Sequence, residues 1–382
     1  MVVELNQSKG KFLPAQRAGL IVRGATRPNS QDVVSNQINT GYTPPNRKRE
    51  KGYERQSQLV DRILAEAQNV SEDKKAVYLL VADKLLACSN VPIPNVDPTV
   101  RKINDHRYIG GMCHCGKGIC PLCLPYQDAL RAEKLKKQAQ KVVPLGLKHY
   151  LFTMTIRHHY GAKFRVLVDV ERKVWRKMIS SRFWKESVEG FFWKLEPGFT
   201  LANGHHPHKH CVLALKTGVD PDEFAERLKK YWEEQVRKLG RSCDWKEGWW
   251  KEIPGSADVD RMIGYVCKSI REVTGTSHKH NAPWLLPVAA YVEVFTTSRN
   301  VRWFGVGGCW RSKETVKCEK EEVLEQERHS NDEILVTVPV HVWKKFSVSQ
   351  KFLIKNVVYD QEIDDEHCVE VVKLLIDEVM NC

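Results

Sequence analysis

Four closely spaced histidines enter an apolar run, and this pattern constrains the fold more than any other in the chain. Residues 203–215 read Asn-Gly-His-His-Pro-His-Lys-His-Cys-Val-Leu-Ala-Leu. If the run is a β-strand, His208 and His210 project from one face, while Cys211, Leu213 and Leu215 pack on the other. Two imidazoles then converge on one point, which suits a divalent cation. The alternative is a polar turn whose histidines contact solvent and bind metal only adventitiously.

Charge is distributed unevenly along the chain. The formal net charge is +13, but residues 314–382 carry 8 Lys and Arg against 16 Asp and Glu, so the first 313 residues carry a net +21. A basic body indicates a polyanionic partner. Several of the 11 tryptophans adjoin Lys or Arg, and such pairs can stack bases while the cations hold phosphates. The same features also fit a basic surface that only aids solubility and tryptophans that only fill the core.

Length and hydropathy bound the class of protein. With 382 residues, 42% of them apolar, the chain can form two or three compact units. We find no apolar run near the roughly 20 residues that span a bilayer, and no signal-peptide pattern at the N-terminus. We therefore expect a soluble, cytoplasmic protein.

The order of patterns predicts five segments. Residues 1–55 are expected to form a flexible basic arm, 56–100 a helical segment, 101–145 a zinc-binding module, 146–312 a domain of short strands alternating with helices, and 313–382 an acidic C-terminal element for regulation or self-association. The alternating domain predicts an α+β fold, with an antiparallel sheet and helices packed on one side.

A cysteine cluster lies ahead of the alternating domain. Its ligand candidates are Cys113, Cys115, Cys120 and Cys123, in the spacing Cys-x-Cys-x4-Cys-x2-Cys. Four thiolates can close a tetrahedron around Zn²⁺ at about 2.3 Å, and with no open position the site is predicted to be structural. His114 could replace one cysteine. Reduced cysteines without a metal are the alternative.

One tyrosine lies outside the apolar face of its own predicted helix. The spacing predicts a helix over residues 256–273, capped by Ser256, whose buried face excludes Tyr265. Lys268 follows one turn later on the same side. A phenolate can act as a nucleophile when a cation polarises the electrophile and a lysine balances charge. Taken alone, Tyr265 also fits an ordinary tyrosine at a helix flank.

Three motifs together resemble the HUH endonucleases, specifically the replication initiator (Rep) proteins of rolling-circle plasmids that carry an upstream cysteine cluster. The first, Phe-x-Thr-Leu-Thr, appears loosely as Phe-Thr-Met-Thr at 152–155. The second is the histidine strand at 204–210, and the third, Tyr-x-x-Lys, is Tyr265 to Lys268. The likeness covers about residues 100–312 and implies an HUH nuclease fold, which is ferredoxin/RRM-like, with a small zinc module and helical extensions.

The resemblance also implies a mechanism. His208 and His210 would hold Mg²⁺ or Mn²⁺, and Tyr265 would attack the scissile phosphate of an origin, leaving a 5′-phosphotyrosine and a priming 3′-OH. Glu196, on a neighbouring predicted strand, is the candidate third ligand, although a surface glutamate is nearly as good an interpretation. The implied partners are single-stranded DNA and hairpin origin DNA, with a host helicase, a polymerase and a second copy of the chain as further candidates.

The sequence departs from the family pattern at three positions. Lys209 replaces a hydrophobic residue, which predicts a less buried strand face. His205 stands where relatives often have Trp, and Arg261 where single-tyrosine relatives often carry Glu, so the terminating step is left open. A related transposase or relaxase is one alternative. Another is a non-catalytic, zinc-dependent nucleic-acid-binding regulator in which the histidine strand is only structural.

Overall fold

The computed structural model describes residues 45–103, 106–243, 245, 248–267, 282–317, 333–360 and 362–381. All of them belong to one unit, Thr43–Cys382. The helices are α1 (Pro45–Ala67), α2 (Glu72–Ala87), α3 (Cys123–Val142), α4 (Phe164–Ser180), α5 (Arg182–Ser187), α6 (Pro221–Lys238), α7 (Ser256–Val266), α8 (Val288–Thr297), α9 (Lys313–Lys317), α10 (Val340–Lys345), α11 (Val348–Tyr359) and α12 (Asp365–Met380). Among these described helices, none has the length and apolar composition that crossing a membrane requires.

The strands form antiparallel sheets. They are β1 (Thr99–Ile103), β2 (His106–Gly110), β3 (Lys148–Met154), β4 (Val188–Glu196), β5 (Phe199–Thr200), β6 (Gly204–His205), β7 (His208–Leu215), β8 (Trp250–Ile253), β9 (Phe304–Gly308) and β10 (Glu333–Thr337). Five of them make the main sheet in the order β8-β3-β7-β4-β9. The predicted α+β class with an antiparallel sheet is therefore confirmed, and the histidine run is its central strand.

Helices cover both faces of the main sheet, so the prediction of helices on one side is wrong. Val212 of β7 packs in one core with residues of α3 and α7, while Leu213 packs in a second core with residues of α4 and α6. The reason lies in β7 itself, since after His210 every residue of this strand is buried. A central strand that is apolar on both faces needs cover on both.

The C-terminal residues complete a second sheet. Strand β10 pairs antiparallel with β1, which also pairs with β2. Helices α11 and α12 pack on this sheet, and the Arg107 guanidinium of β2 lies 3.0 Å from the Asp365 carboxylate. The segment that the sequence predicts as a separate acidic element therefore shares a sheet with residues 99–110.

Helix α1 begins earlier than the sequence predicts. Residues 45–55, assigned above to a flexible basic arm, lie within α1. Pro45 is the first helical residue, where its missing N–H costs nothing, and the Arg, Lys and Glu residues that follow are good helix formers. The rest of the predicted arm lies outside the described residues.

Candidate functional site

Four cysteine sulfurs gather at the start of α3. The Sγ atoms of Cys88, Cys115, Cys120 and Cys123 all lie within 4.8 Å of one another. Three of the separations are 3.4 Å (Cys88 to Cys123), 3.7 Å (Cys115 to Cys123) and 3.8 Å (Cys88 to Cys120). Four ligands at about 2.3 Å in a tetrahedron around zinc would lie about 3.8 Å apart. The cluster therefore has the dimensions of a closed, four-cysteine zinc site.

The fourth ligand differs from the predicted one. Cys113 lies outside the cluster, where its thiol donates to the Pro92 carbonyl at 3.4 Å and its amide donates to the Val91 carbonyl at 2.7 Å. Cys88, the residue that follows α2, takes its place. Cys88 arrives from 35 positions before Cys123 along the chain. The spacing of the cysteines at positions 113–123 therefore could not identify it.

The electrostatics of the cluster favour a cation. Burial raises the pKa of the Cys120 thiol. The pKa of Cys123 is also raised, chiefly by its hydrogen bond with the Cys115 thiol. Hydrogen bonds from Cys115, Cys120 and Cys123 lower the pKa of Cys88. Cysteines bind metal as thiolates, so a divalent cation at this cluster would favour the ionised form of the sulfurs that hold it.

Several distant elements meet at this cluster. The Tyr291 hydroxyl of α8 donates to the Ile119 carbonyl at 3.4 Å, and Tyr291 is fully buried. The Trp343 indole of α10 donates to the Asn90 carbonyl at 2.9 Å, and the buried Lys355 ammonium of α11 donates to the Asn90 side chain. The cysteine cluster therefore lies where the N-terminal and C-terminal helices meet the rest of the unit.

The histidine strand presents the predicted alternation. His208 and His210 project from the face of β7 that also carries Val212, with their rings 6.3 Å apart. Cys211, Leu213 and Leu215 are buried on the opposite face. The interpretation of a polar turn is therefore excluded.

His210 is held between two neighbouring strands. Its Nδ1 lies 2.9 Å from the Thr153 hydroxyl of β3, and its Nε2 lies 3.3 Å from Oε2 of Glu196, at the end of β4. In the imidazolium form both ring nitrogens carry protons, so His210 can donate to Thr153 and to Glu196 together. Burial raises the pKa of Glu196, but the hydrogen bond from His210 and the charges of His210, Lys194 and His208 outweigh it and lower the pKa to about 2. Glu196 is therefore an anion at neutral pH.

The structure brings two of the three predicted donors of a divalent cation close together. Donor atoms about 2.1 Å from one ion at a right angle lie about 3.0 Å apart, and the 3.3 Å between His210 Nε2 and Glu196 Oε2 is close to this value. In the described part of the chain, however, only the cysteines bring three or more His, Cys, Asp or Glu donors within 4.8 Å of one another. His208 must therefore come closer before all three can share an ion.

A buried charge cluster that the sequence did not reveal lies on the same face. The Lys194 ammonium of β4, opposite His210, lies 2.5 Å from Asp128 of α3, and Arg131 lies 3.2 Å from the same carboxylate. None of these three side chains is more than 5% exposed. This cluster ties α3 to the strand that carries Glu196 and adds a net positive charge beneath it.

Lys209 is buried, so the prediction of a less buried strand face is wrong. Its ammonium lies 2.6 Å from the Glu171 carboxylate of α4 and 3.7 Å from the ring centroid of Trp193. Trp175 covers it at 4.6 Å. An ion pair and two aromatic faces replace the usual hydrophobic contact. These two tryptophans fill the core, which agrees with the alternative interpretation that tryptophans next to Lys or Arg are core residues.

The predicted nucleophile is only partly within the described structure. The backbone of Tyr265 belongs to α7, which packs through Val259, Ile263 and Val266 on the face of the sheet that carries the two histidines. The structure does not describe the side chain of Tyr265. Residues 268–281, which include Lys268, also lie outside the described residues. Helix α7 begins at Ser256, so Gly255 and not Ser256 is its N-cap.

Comparisons with protein-family models, curated proteins and solved structures found no match to this chain.

Proposed function

We propose that this protein is a metal-dependent nickase and strand transferase for single-stranded DNA that initiates rolling-circle replication. The observation that carries the proposal is the placement of His208, His210 and Glu196 at one end of the central strands. The helix that contains Tyr265 packs on the same sheet face. An Mg²⁺ or Mn²⁺ ion at this point would polarise the scissile phosphate.

The residues of the chain have separate tasks in this proposal. Thr153 fixes the ring of His210, and Glu196 supplies a permanent carboxylate beside it. The phenol oxygen of Tyr265 forms the bond to phosphorus while the bond to the 3′ oxygen breaks, and the phenol proton is balanced by the proton that the new 3′-OH gains. Lys268 balances charge as the phenolate forms. The resulting 5′-phosphotyrosine keeps the energy of the broken bond for rejoining.

The cysteine cluster and the net charge support a nucleic-acid partner. A structural zinc at the cluster would hold together the elements that frame the sheet. The net +21 of the first 313 residues suits a polyanion. In this proposal the protein binds a hairpin origin and cuts its single-stranded part.

The test is adduct formation on DNA. Tiled single-stranded oligonucleotides from the DNA flanking the gene are incubated with the protein and Mn²⁺, and a covalent complex is sought on denaturing gels. We expect an adduct that Tyr265→Phe abolishes, while Tyr231→Phe, on the other face of the sheet, keeps it. Glu196→Gln should reduce the adduct, with the exposed Glu186→Gln as its matched control.

Other outcomes separate the alternatives. Tight DNA binding without any adduct would support the zinc-dependent regulator, whose histidine strand has no catalytic task. An adduct that persists in Tyr265→Phe would leave the class of enzyme intact and assign the nucleophile to another tyrosine. The buried Tyr291 is a poor substitute, because burial raises its pKa well above the ordinary value.

A further inference from the structure

The loop between β3 and α4 reaches the same end of the sheet as the two histidines. Strand β3 runs antiparallel to β7, with Met154 opposite Lys209, so residues 155–163 continue beside the start of β7. His158 of this loop stacks on His206 with ring centroids 5.2 Å apart, and His206 contacts the ring of His208 at 5.0 Å. The loop is therefore joined to the candidate site by a row of rings.

Two apolar side chains project into solvent at this end. Tyr160 is 73% exposed and Leu201, in the turn after β5, is 80% exposed. Their turns lie close together, since a Cβ atom added to Gly204, at the end of the second turn, would lie 3.6 Å from the Tyr160 Cα atom. A single exposed tyrosine or leucine is ordinary on a protein surface. Two that are this exposed on adjoining turns beside a candidate site indicate a contact surface.

The loop is anchored at both ends and free at its tip. The Arg157 amide donates to the Ser242 carbonyl at 2.8 Å, and the Phe164 amide donates to Oε1 of Glu293 at 2.8 Å. Within the loop, the Ala162 amide donates to the His159 carbonyl at 3.0 Å. Gly161 has a φ of +87°, which turns the chain directly after Tyr160. These anchors present the phenol ring outward on a defined turn.

The residues that flank Tyr160 in the sequence carry only positive charge. Arg157 and Lys163 are exposed, and residues 157–163 contain no acidic side chain. Outside the loop, the Glu293 carboxylate lies 3.5 Å from the Lys163 ammonium. An exposed aromatic ring with cations close to it in the sequence is typical of surfaces that bind single-stranded nucleic acid, with the ring on a base and the cations on phosphates.

We propose that Tyr160 stacks on a base of single-stranded DNA next to the scissile phosphate, with Arg157 and Lys163 on the flanking phosphates. The inference rests on the proposed function for the identity of the partner. It assigns to the β3–α4 loop the task of guiding the strand across the histidines.

The experiment measures binding of a fluorescein-labelled single-stranded oligonucleotide by anisotropy. Stacking contributes about 1–3 kcal/mol per base, so Tyr160→Ala should weaken binding about 5- to 150-fold. Tyr160→Trp and Tyr160→Phe should stay within about twofold of the wild type. The matched control is Phe352→Ala, an aromatic residue 50% exposed on α11, which should change nothing.

The salt dependence separates the ring from the cations. Arg157→Gln and Lys163→Gln should each lower the slope of log K against log salt by about 0.7, while Tyr160→Ala should leave the slope unchanged. Unaltered affinity in Tyr160→Ala would overturn the inference and would favour a protein partner for this surface. A loss of adduct in Tyr160→Phe would also overturn it, because the hydroxyl and not the ring would then be essential.

The two proposals fail separately. If the wild type forms the Mn²⁺-dependent adduct and Tyr160→Ala binds normally, the stacking role is wrong and the nickase stands. If DNA binding depends on Tyr160 but no adduct forms, the nickase is wrong and the stacking role stands. A wild type that does not bind single-stranded DNA overturns both.

Discussion

Replacing Cys88 by serine should remove the metal from the cysteine cluster, whereas replacing Cys113 should not. The two variants are matched, because each removes one thiol from the same neighbourhood. Structural zinc contributes about 10–16 kcal/mol of binding free energy. One sulfur of four therefore accounts for about 3 kcal/mol, which corresponds to about a 150-fold weaker Kd.

The assay is competition with a zinc chelator of known affinity, followed by thermal unfolding. The wild type and Cys113→Ser should hold one equivalent of zinc and unfold at similar temperatures. Cys88→Ser should lose zinc to the chelator and unfold at a lower temperature, since each tenfold loss of affinity removes about 1.4 kcal/mol of metal-linked stability. Zinc retained in Cys88→Ser but lost in Cys113→Ser would refute the geometry and restore the ligand set that the sequence predicts.

Two further predictions concern the sheet. Lys209→Met should lower the free energy of unfolding in urea by about 3–5 kcal/mol, because Glu171 is left buried and unpaired. The double variant with Glu171→Met should recover most of this loss. A double variant no more stable than the single one would contradict the pairing. The pKa of Glu196 is lowered to about 2 from an ordinary 4.5, so its carboxylate stabilises the fold above about pH 4.5 and this contribution is lost as the pH falls toward 2. Glu196→Gln should lack that part of the acid transition, whereas Glu186→Gln should keep it.

Periodic patterns predicted the sheet well. The alternation in residues 208–215 fixed which histidines share a face, because the period of a strand is a local property. The same kind of local pattern predicted that short strands alternate with helices in residues 146–312. It could not reveal that α3 covers the histidine face, since only the packed structure brings residues 123–142 against β4 and α7.

Ligands and buried charges were predicted less well, and the reason is sequence separation. Cys88 lies outside the spacing that identified the other cysteines. In the sequence, Lys194 beside Trp193 and Lys209 between two histidines look like solvated cations. Each is buried against an acid from a distant helix, and Asp128 is 66 positions from Lys194. From the sequence alone, a lysine in a strand is predicted to be exposed unless its acidic partner is known.

The two buried lysines fix the shape of this end of the sheet. Lys209 fixes β7 to α4 on one face, and Lys194 fixes β4 to α3 on the other. Lys209 directly precedes His210, and Lys194 lies opposite His210 on β4. Removing a partner from such a pair leaves an uncompensated buried charge, so each pair holds its strand against its helix. His210 Nε2 and Glu196 Oε2, 3.3 Å apart, therefore lie on strands that are held against helices on both faces of the sheet.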